Sequence, residues 1–141
     1  MNPRLKELYQ SVILKHSKEP VNYEKREEAD QHLDAYNSLC GDRFHLYFDL
    51  EEGKIKDLSF HGYGCAISKA STSVLVKFLE GKSLEEAKQM TKEYLESLSE
   101  EGESANLPEE FEAFGAARDF PGRMKCATLA WEEMDSFVEG R

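Results

Sequence analysis

The chain has 141 residues, 28 acidic and 18 basic, giving a formal net charge of −10, with 40% hydrophobic residues. That length suits one domain with a core that needs no disulfides, and so acidic a chain, without a basic patch, repels phosphate backbones and excludes nucleic acid as a partner. No apolar run approaches the roughly 18 residues of a membrane span, and the polar first ten residues are no signal peptide, so the expectation is a cytoplasmic protein without a membrane partner.

Leu5, Leu8, Tyr9, Val12 and Ile13 predict a short amphipathic helix, closed off by Pro20. Asn22 to Asp30 is polar and irregular, and His32 to Leu39 alternates poorly, as a weak first strand. Arg43 to Leu50 is far clearer. Phe44, Leu46, Phe48 and Leu50 fall on one face, Arg43, His45, Tyr47 and Asp49 on the other. After a turn at Glu51-Glu52-Gly53, Lys54 to Gly62 returns as a second strand.

That hairpin feeds Gly62-Tyr63-Gly64-Cys65, and Ile67, Ala70, Ser71, Val74, Leu75, Phe78 and Leu79 then mark one face of a helix. Cys65 therefore falls at or just before a helix N-terminus, where unpaired N–H groups and the positive dipole end favour a thiolate. A small buried cysteine at a strand–helix corner is the plainer alternative. Gly81 fits a C-terminal cap, and Ser83 with Glu86 reads as a capping box for a helix carrying Leu84, Ala87, Thr91, Leu95 and Leu98. Ser99 to Glu110 is acidic and reads as a mobile surface excursion. Phe111 and Phe114 suggest a short helix or hydrophobic clip, and Asp119-Phe120-Pro121-Gly122 a turn. Met124, Ala127, Thr128, Trp131, Asp135 and Val138 mark a final helix, with Trp131 in the core. There is no internal repeat.

The three cysteines, an odd number with no secretory context, point to free thiols, metal ligation or sulfur chemistry rather than a disulfide framework. Cys40, Cys65 and Cys126 all fall at element boundaries, where side chains from different elements can converge. On an extended backbone Cys40 and Asp42 point the same way, so Cys40-Gly41-Asp42 can offer two ligands from one edge, and Cys65 and Cys126 complete a set of three sulfurs and one oxygen. The intervals fit no standard zinc pattern, and no Cys-x-x-Cys pair is present. Of the histidines, His45 sits on an outer strand face, His16 ends a helix and His32 lies in weakly structured sequence. His61 is read as a strand-surface residue in preference to a ligand.

Three stretches carry more specific information: Asn37-Ser38-Leu39-Cys40-Gly41-Asp42, Gly62-Tyr63-Gly64-Cys65-Ala66-Ile67-Ser68-Lys69-Ala70-Ser71, and Gly122-Arg123-Met124-Lys125-Cys126-Ala127-Thr128-Leu129-Ala130-Trp131. In this order they closely resemble the three motifs of the IscU/NifU-N family of iron–sulfur cluster assembly proteins, and most of all its SufU branch. The resemblance runs from about Leu5 to Trp131. It implies an α+β domain over 1–141, SufE/NifU-N-like, with a small antiparallel β-sheet packed against several helices and a metal site at one end. The segment at roughly 84–122 resembles the insertion that distinguishes SufU from IscU, and Lys125 stands where IscU proteins place a histidine. Ser38 departs from the family, which usually has proline there.

By the same resemblance, Cys40, Asp42, Cys65 and Cys126 bind Zn2+ in SufU-like proteins. In IscU-like proteins the cysteines Cys40, Cys65 and Cys126 take part in holding a [2Fe–2S] cluster. Zinc accepts thiolate and carboxylate in tetrahedral geometry and keeps bound thiols deprotonated. Such a donor set leaves net negative charge, for which Arg123 and Lys125 are the candidate counter-charges, unless they are simply solvated helix-start cations. The implied function is sulfurtransferase-like: a zinc-dependent acceptor and carrier of persulfide sulfur from a SufS-type cysteine desulfurase, serving downstream iron–sulfur assembly proteins. Cys40, on the loop-like stretch, is the sulfur-accepting thiolate, and Asp42 holds the metal or helps Cys40 exchange. The alternatives are a scaffold on which a labile [2Fe–2S] cluster is assembled and transferred, or a structural zinc domain that only regulates a desulfurase.

Overall fold

A computed structural model describes residues 3–39, 41–99, 108–120 and 122–140. Cys40, Pro121 and most of the acidic stretch after Ser99 lie outside the described residues. The chain opens with α1 (Pro3–Leu8), continues through a π-helical stretch (Tyr9–Leu14), and ends this first run with α2 (Lys15–Lys18). Leu8, Val12 and Ile13 are its buried residues, on the stripe the sequence predicts. The run stops at Glu19, whose φ of −128° is no longer helical, just before Pro20.

Three antiparallel strands follow in the order β1 (Gln31–Asn37), β2 (Asp42–Glu51) and β3 (Lys54–Tyr63). Glu52 and Gly53, both at positive φ (52° and 75°), form the two-residue β2–β3 turn, whose twist suits a hairpin. Phe44, Leu46 and Phe48 of β2 and Ile55, Leu58 and Phe60 of β3 are fully buried. Strand β1 has a faint pattern because His32, Asp34 and Tyr36 are exposed while Ala35 and Asn37 are buried.

The helices cover the inner face of this sheet. Helix α3 (Ala66–Leu79) lies over β3 and α6 (Met124–Glu139) over β1, with α4 (Leu84–Ser99) packed on α6. Helix α3 is buried well beyond one stripe, so its small polar residues find partners inside the protein. Ser71 Oγ donates to the Ala127 carbonyl at 2.6 Å, Thr72 Oγ1 to the Ser68 carbonyl at 2.8 Å, and Ser73 Oγ accepts from the Val21 amide at 2.8 Å. The capping box of α4 is present in both directions: Glu86 N–H donates to Ser83 Oγ at 3.1 Å, and Ser83 N–H to Glu86 Oε1 at 3.0 Å. Phe111 and Phe114 belong to α5 (Glu109–Glu112) and the 3-10 helix that follows (Ala113–Asp119). Their edges pack on Tyr94, whose ring stacks on Trp131 at 4.1 Å. Trp131 is a core residue, as the periodicity predicts.

Candidate metal centre

One end of the sheet brings together three chain segments: the start of β2, the passage from β3 into α3, and the first turn of α6. Asp42 is the first residue of β2, on the same face as Phe44 and Leu46, and only 4% of its surface is exposed. The β3–α3 passage is pressed against it. A Cβ on Gly62 would collide with the Arg43 carbonyl oxygen, and one on Gly64 would strike Ser68 Oγ and sit 3.0 Å from Asp42 Oδ1. Both glycines are needed for this close approach.

Cys65 is the N-cap of α3, with extended angles (φ −71°, ψ 170°). Its amide donates to Asp42 Oδ1 at 3.3 Å. Ser68 Oγ, buried in the first turn of α3, lies 3.6 Å from Cys65 Sγ and donates to the Cys65 carbonyl at 3.1 Å. Cys126, in the first turn of α6, is buried from the other side. The donor atoms of Asp42, Cys65 and Cys126 all lie within 4.8 Å of one another.

The two thiols differ in acidity. Burial raises the pKa of Cys65, but hydrogen bonds with the Ser68 amide and hydroxyl and with Cys126 outweigh it, leaving Cys65 below an ordinary thiol. Cys126 is pushed strongly upward, first by burial and then by hydrogen bonds with Asp42 and Cys65 that hold its proton. Arg123, the exposed N-cap of α6, hydrogen-bonds Cys126 and is attracted to Cys65, which raises its own pKa. Beside Cys65 a hollow of about 240 Å³ is walled by Tyr9, Ala66, Ile67, Phe120 and Arg123.

These residues suit a thiophilic divalent metal. Around tetrahedral zinc with Zn–S bonds of about 2.3 Å, donors stand roughly 3.8 Å apart, inside the spacing seen here. Two sulfurs and one carboxylate leave a fourth position, for which the sequence offers Cys40. Cys40 itself is outside the described residues, between Leu39, which is 95% exposed, and Gly41, at φ 74°. Gly41 itself is in a left-handed turn conformation and is not extended backbone.

Lys125 is placed differently from Arg123. Its ammonium pairs with Glu132 Oε1 at 2.5 Å along the surface of α6. His16 bonds Ser73 Oγ at 2.7 Å and His61 packs at a tilt against Tyr23, and among the described residues no histidine joins the sulfur cluster. Sequence reasoning passed over Ser68, Tyr9 and Phe120. Ser68 had a readable signal, since a residue three after an N-cap is where amide and side chain reach back to the cap. Tyr9 and Phe120 come from distant segments with no such signal.

Residues 8–136 match the family model of the NifU-like N-terminal domain. The zinc-dependent sulfurtransferase SufU of Bacillus subtilis (strain 168) is 35% identical over 139 residues, covering 97% of this chain and 93% of that protein. The iron–sulfur cluster assembly scaffold protein IscU of Streptococcus pyogenes serotype M1 is 33% identical over 137 residues, covering 96% and 86%. Among solved structures, a candidate iron–sulfur cluster assembly scaffold protein for the SUF system from Fervidobacterium islandicum AW-1 matches with a TM-score of 0.82 and 32% identity, over 92% of this chain and 96% of that one.

Proposed function

Since this chain belongs to the NifU-like N-terminal domain family, we propose that it works in iron–sulfur cluster biogenesis as a zinc-dependent acceptor of persulfide sulfur. The donor is a cytoplasmic cysteine desulfurase of the SufS type, and the sulfur passes on to downstream iron–sulfur assembly proteins. The observation that carries this reading is the convergence of Asp42, Cys65 and Cys126 at one sheet end, next to the Arg123 guanidinium.

Zinc, when bound, keeps its thiol ligands deprotonated at neutral pH and adds no redox chemistry of its own. Asp42, Cys65 and Cys126 hold it from a strand start and two helix N-termini, and Arg123 offsets the negative charge of the set. Cys40, next in sequence to the exposed Leu39, is in this reading the thiolate that accepts the sulfur. It attacks the terminal sulfur of the desulfurase persulfide. A new S–S bond forms on Cys40, the donor's S–S bond breaks, and the desulfurase cysteine leaves as a thiolate, with no net oxidation. The segment 84–122 is in this reading the insertion of the SufU branch, and its helix α4 packs on α6.

The test is sulfide release by a SufS-type desulfurase with and without this protein, with zinc read by elemental analysis. The reading expects about one zinc per chain and strong stimulation, lost in Cys40→Ala. The scaffold reading has support in the Streptococcus relative, an iron–sulfur cluster assembly scaffold protein, and in the Fervidobacterium candidate scaffold. It replaces the first if the protein leaves the desulfurase unstimulated yet turns brown with an oxygen-labile cluster on anaerobic reconstitution.

A further inference from the structure

The sheet face turned away from the helices carries three of the four histidines. His45 stands directly across from Asp34 on β1 and from His61 on β3, and His32 is across from Tyr47. His32 and His45 are thus diagonal neighbours on one face, within reach of each other. Their ring nitrogens meet: His32 Nε2 lies 2.8 Å from His45 Nδ1. Both rings are steadied by Tyr47, on which His32 stacks at 5.0 Å and His45 at 6.3 Å. Asp34 Oδ1 is 3.9 Å from His45 Nδ1, and the carboxylate is fixed by Arg43 through bonds of 3.0 and 2.6 Å.

We propose that His32 and His45, backed by Asp34, form a second metal site for a divalent first-row transition ion, separate from the sulfur centre. Two neutral imidazoles that face each other share one proton between two lone pairs, and a metal ion can take that proton's place. Metal–imidazole bonds of about 2.0–2.1 Å put two nitrogens at a right angle roughly 2.9 Å apart, close to the spacing already present. Small ring rotations bring both lone pairs onto one ion, His32 being exposed enough to move. Asp34 supplies negative charge next to the site, and water completes the coordination. Imidazole donors select Zn2+, Ni2+ or Cu2+ over Mg2+ and Ca2+.

The site is distinct from the sulfur centre by the pleat of β2. Asp42 shares the inner face with Phe44 and Leu46, whereas His45 is on the outer face. Three residues of strand separate them, about 10 Å along the chain. The inference therefore stands independently of the sulfur-transfer reading.

Calorimetric titration of Ni2+ onto the zinc-loaded protein tests it, with zinc content measured before and after. One equivalent of Ni2+ binds with zinc retained, and His32→Ala or His45→Ala each weakens binding by about tenfold or more. Both variants keep the wild-type melting temperature, and His16→Ala, on the far side of the sheet, binds as wild type. The proposal is overturned if no Ni2+ binds, if His45→Ala binds unchanged, or if each Ni2+ taken up expels a zinc, which would place it in the sulfur centre.

Discussion

The amide of Cys65 donates to a carboxylate oxygen of Asp42 at 3.3 Å, across 23 positions of sequence. One side chain thereby ties the start of β2 to the head of α3 and also belongs to the candidate donor set.

The two roles separate by substitution. Asp42→Asn keeps an acceptor oxygen but no charge, so it should melt like wild type when both are metal-free while losing most bound zinc. Asp42→Ala removes both, leaving a partly buried amide unpaired at a cost of about 1 kcal/mol. Thermal melts with zinc analysis check both; equal zinc loading in all three proteins would remove Asp42 from the site.

Gly64→Ala places a methyl against Ser68 Oγ, 2.8 Å from Phe44 Cε2 and 3.0 Å from Asp42 Oδ1. Overpacking of this kind costs about 1–3 kcal/mol, and here the atoms displaced border the donor set. The variant should melt lower and bind zinc more weakly than wild type. Gly53→Ala serves as comparison: its Cβ meets nothing within 4 Å, so only the strain of its positive φ is added, and zinc binding should be unchanged.

The aromatic stack supports the site from below. Tyr94 Oη donates to the Ala127 carbonyl at 2.7 Å, one residue after Cys126, and its ring lies on Trp131. Tyr94→Phe should lower stability by about 1 kcal/mol through the lost hydrogen bond, and Trp131→Ala by about 3–5 kcal/mol through the cavity. Urea unfolding measures both.

Much of this was legible from local pattern. Strand β2 alternates cleanly because one face meets the core and the other does not, and the α4 capping box names both its members. Cys65 is the N-cap its glycines and the following stripe predict. Legibility failed where placement depends on tertiary packing. The weak alternation of β1 reflects a face of His32, Asp34 and Tyr36 left to solvent. Tyr94, fully buried, shares the periodic stripe of Ala87, Thr91 and Leu98 and was readable there, whereas its stacking on Trp131 of another helix was not. The π-helical turn at Tyr9–Leu14 has no compositional mark. Arg123 and Lys125 look equivalent in sequence, yet one meets the sulfurs and the other Glu132.

Stability should fall on mild acidification. Burial holds His16 and His45 below the ordinary histidine value of 6.5. Between each folded-state pKa and 6.5 the unfolded chain binds more protons, so stability is full above 6.5 and declines as pH drops through that window. Asp34, through its bond from Arg43, and Asp49, through the Asp30 amide, are held below their ordinary 3.8, so their contribution is lost only at lower pH. Melting temperatures at pH 7 and 5.5 should differ less in His16→Gln than in wild type; an unchanged difference would show that His16 is not one of the groups responsible.

The central claim is that Cys40 receives sulfur while Asp42, Cys65 and Cys126 hold the metal. Its most direct test is to mix the zinc-loaded protein with a SufS-type desulfurase and cysteine, then map persulfide by alkylation and peptide mass spectrometry. The account predicts one added sulfur on Cys40, none on Cys65 or Cys126, and none anywhere in Cys40→Ala. Persulfide on Cys65 or Cys126 with Cys40 unmodified, or no protein-bound sulfur while the desulfurase turns over, would contradict it.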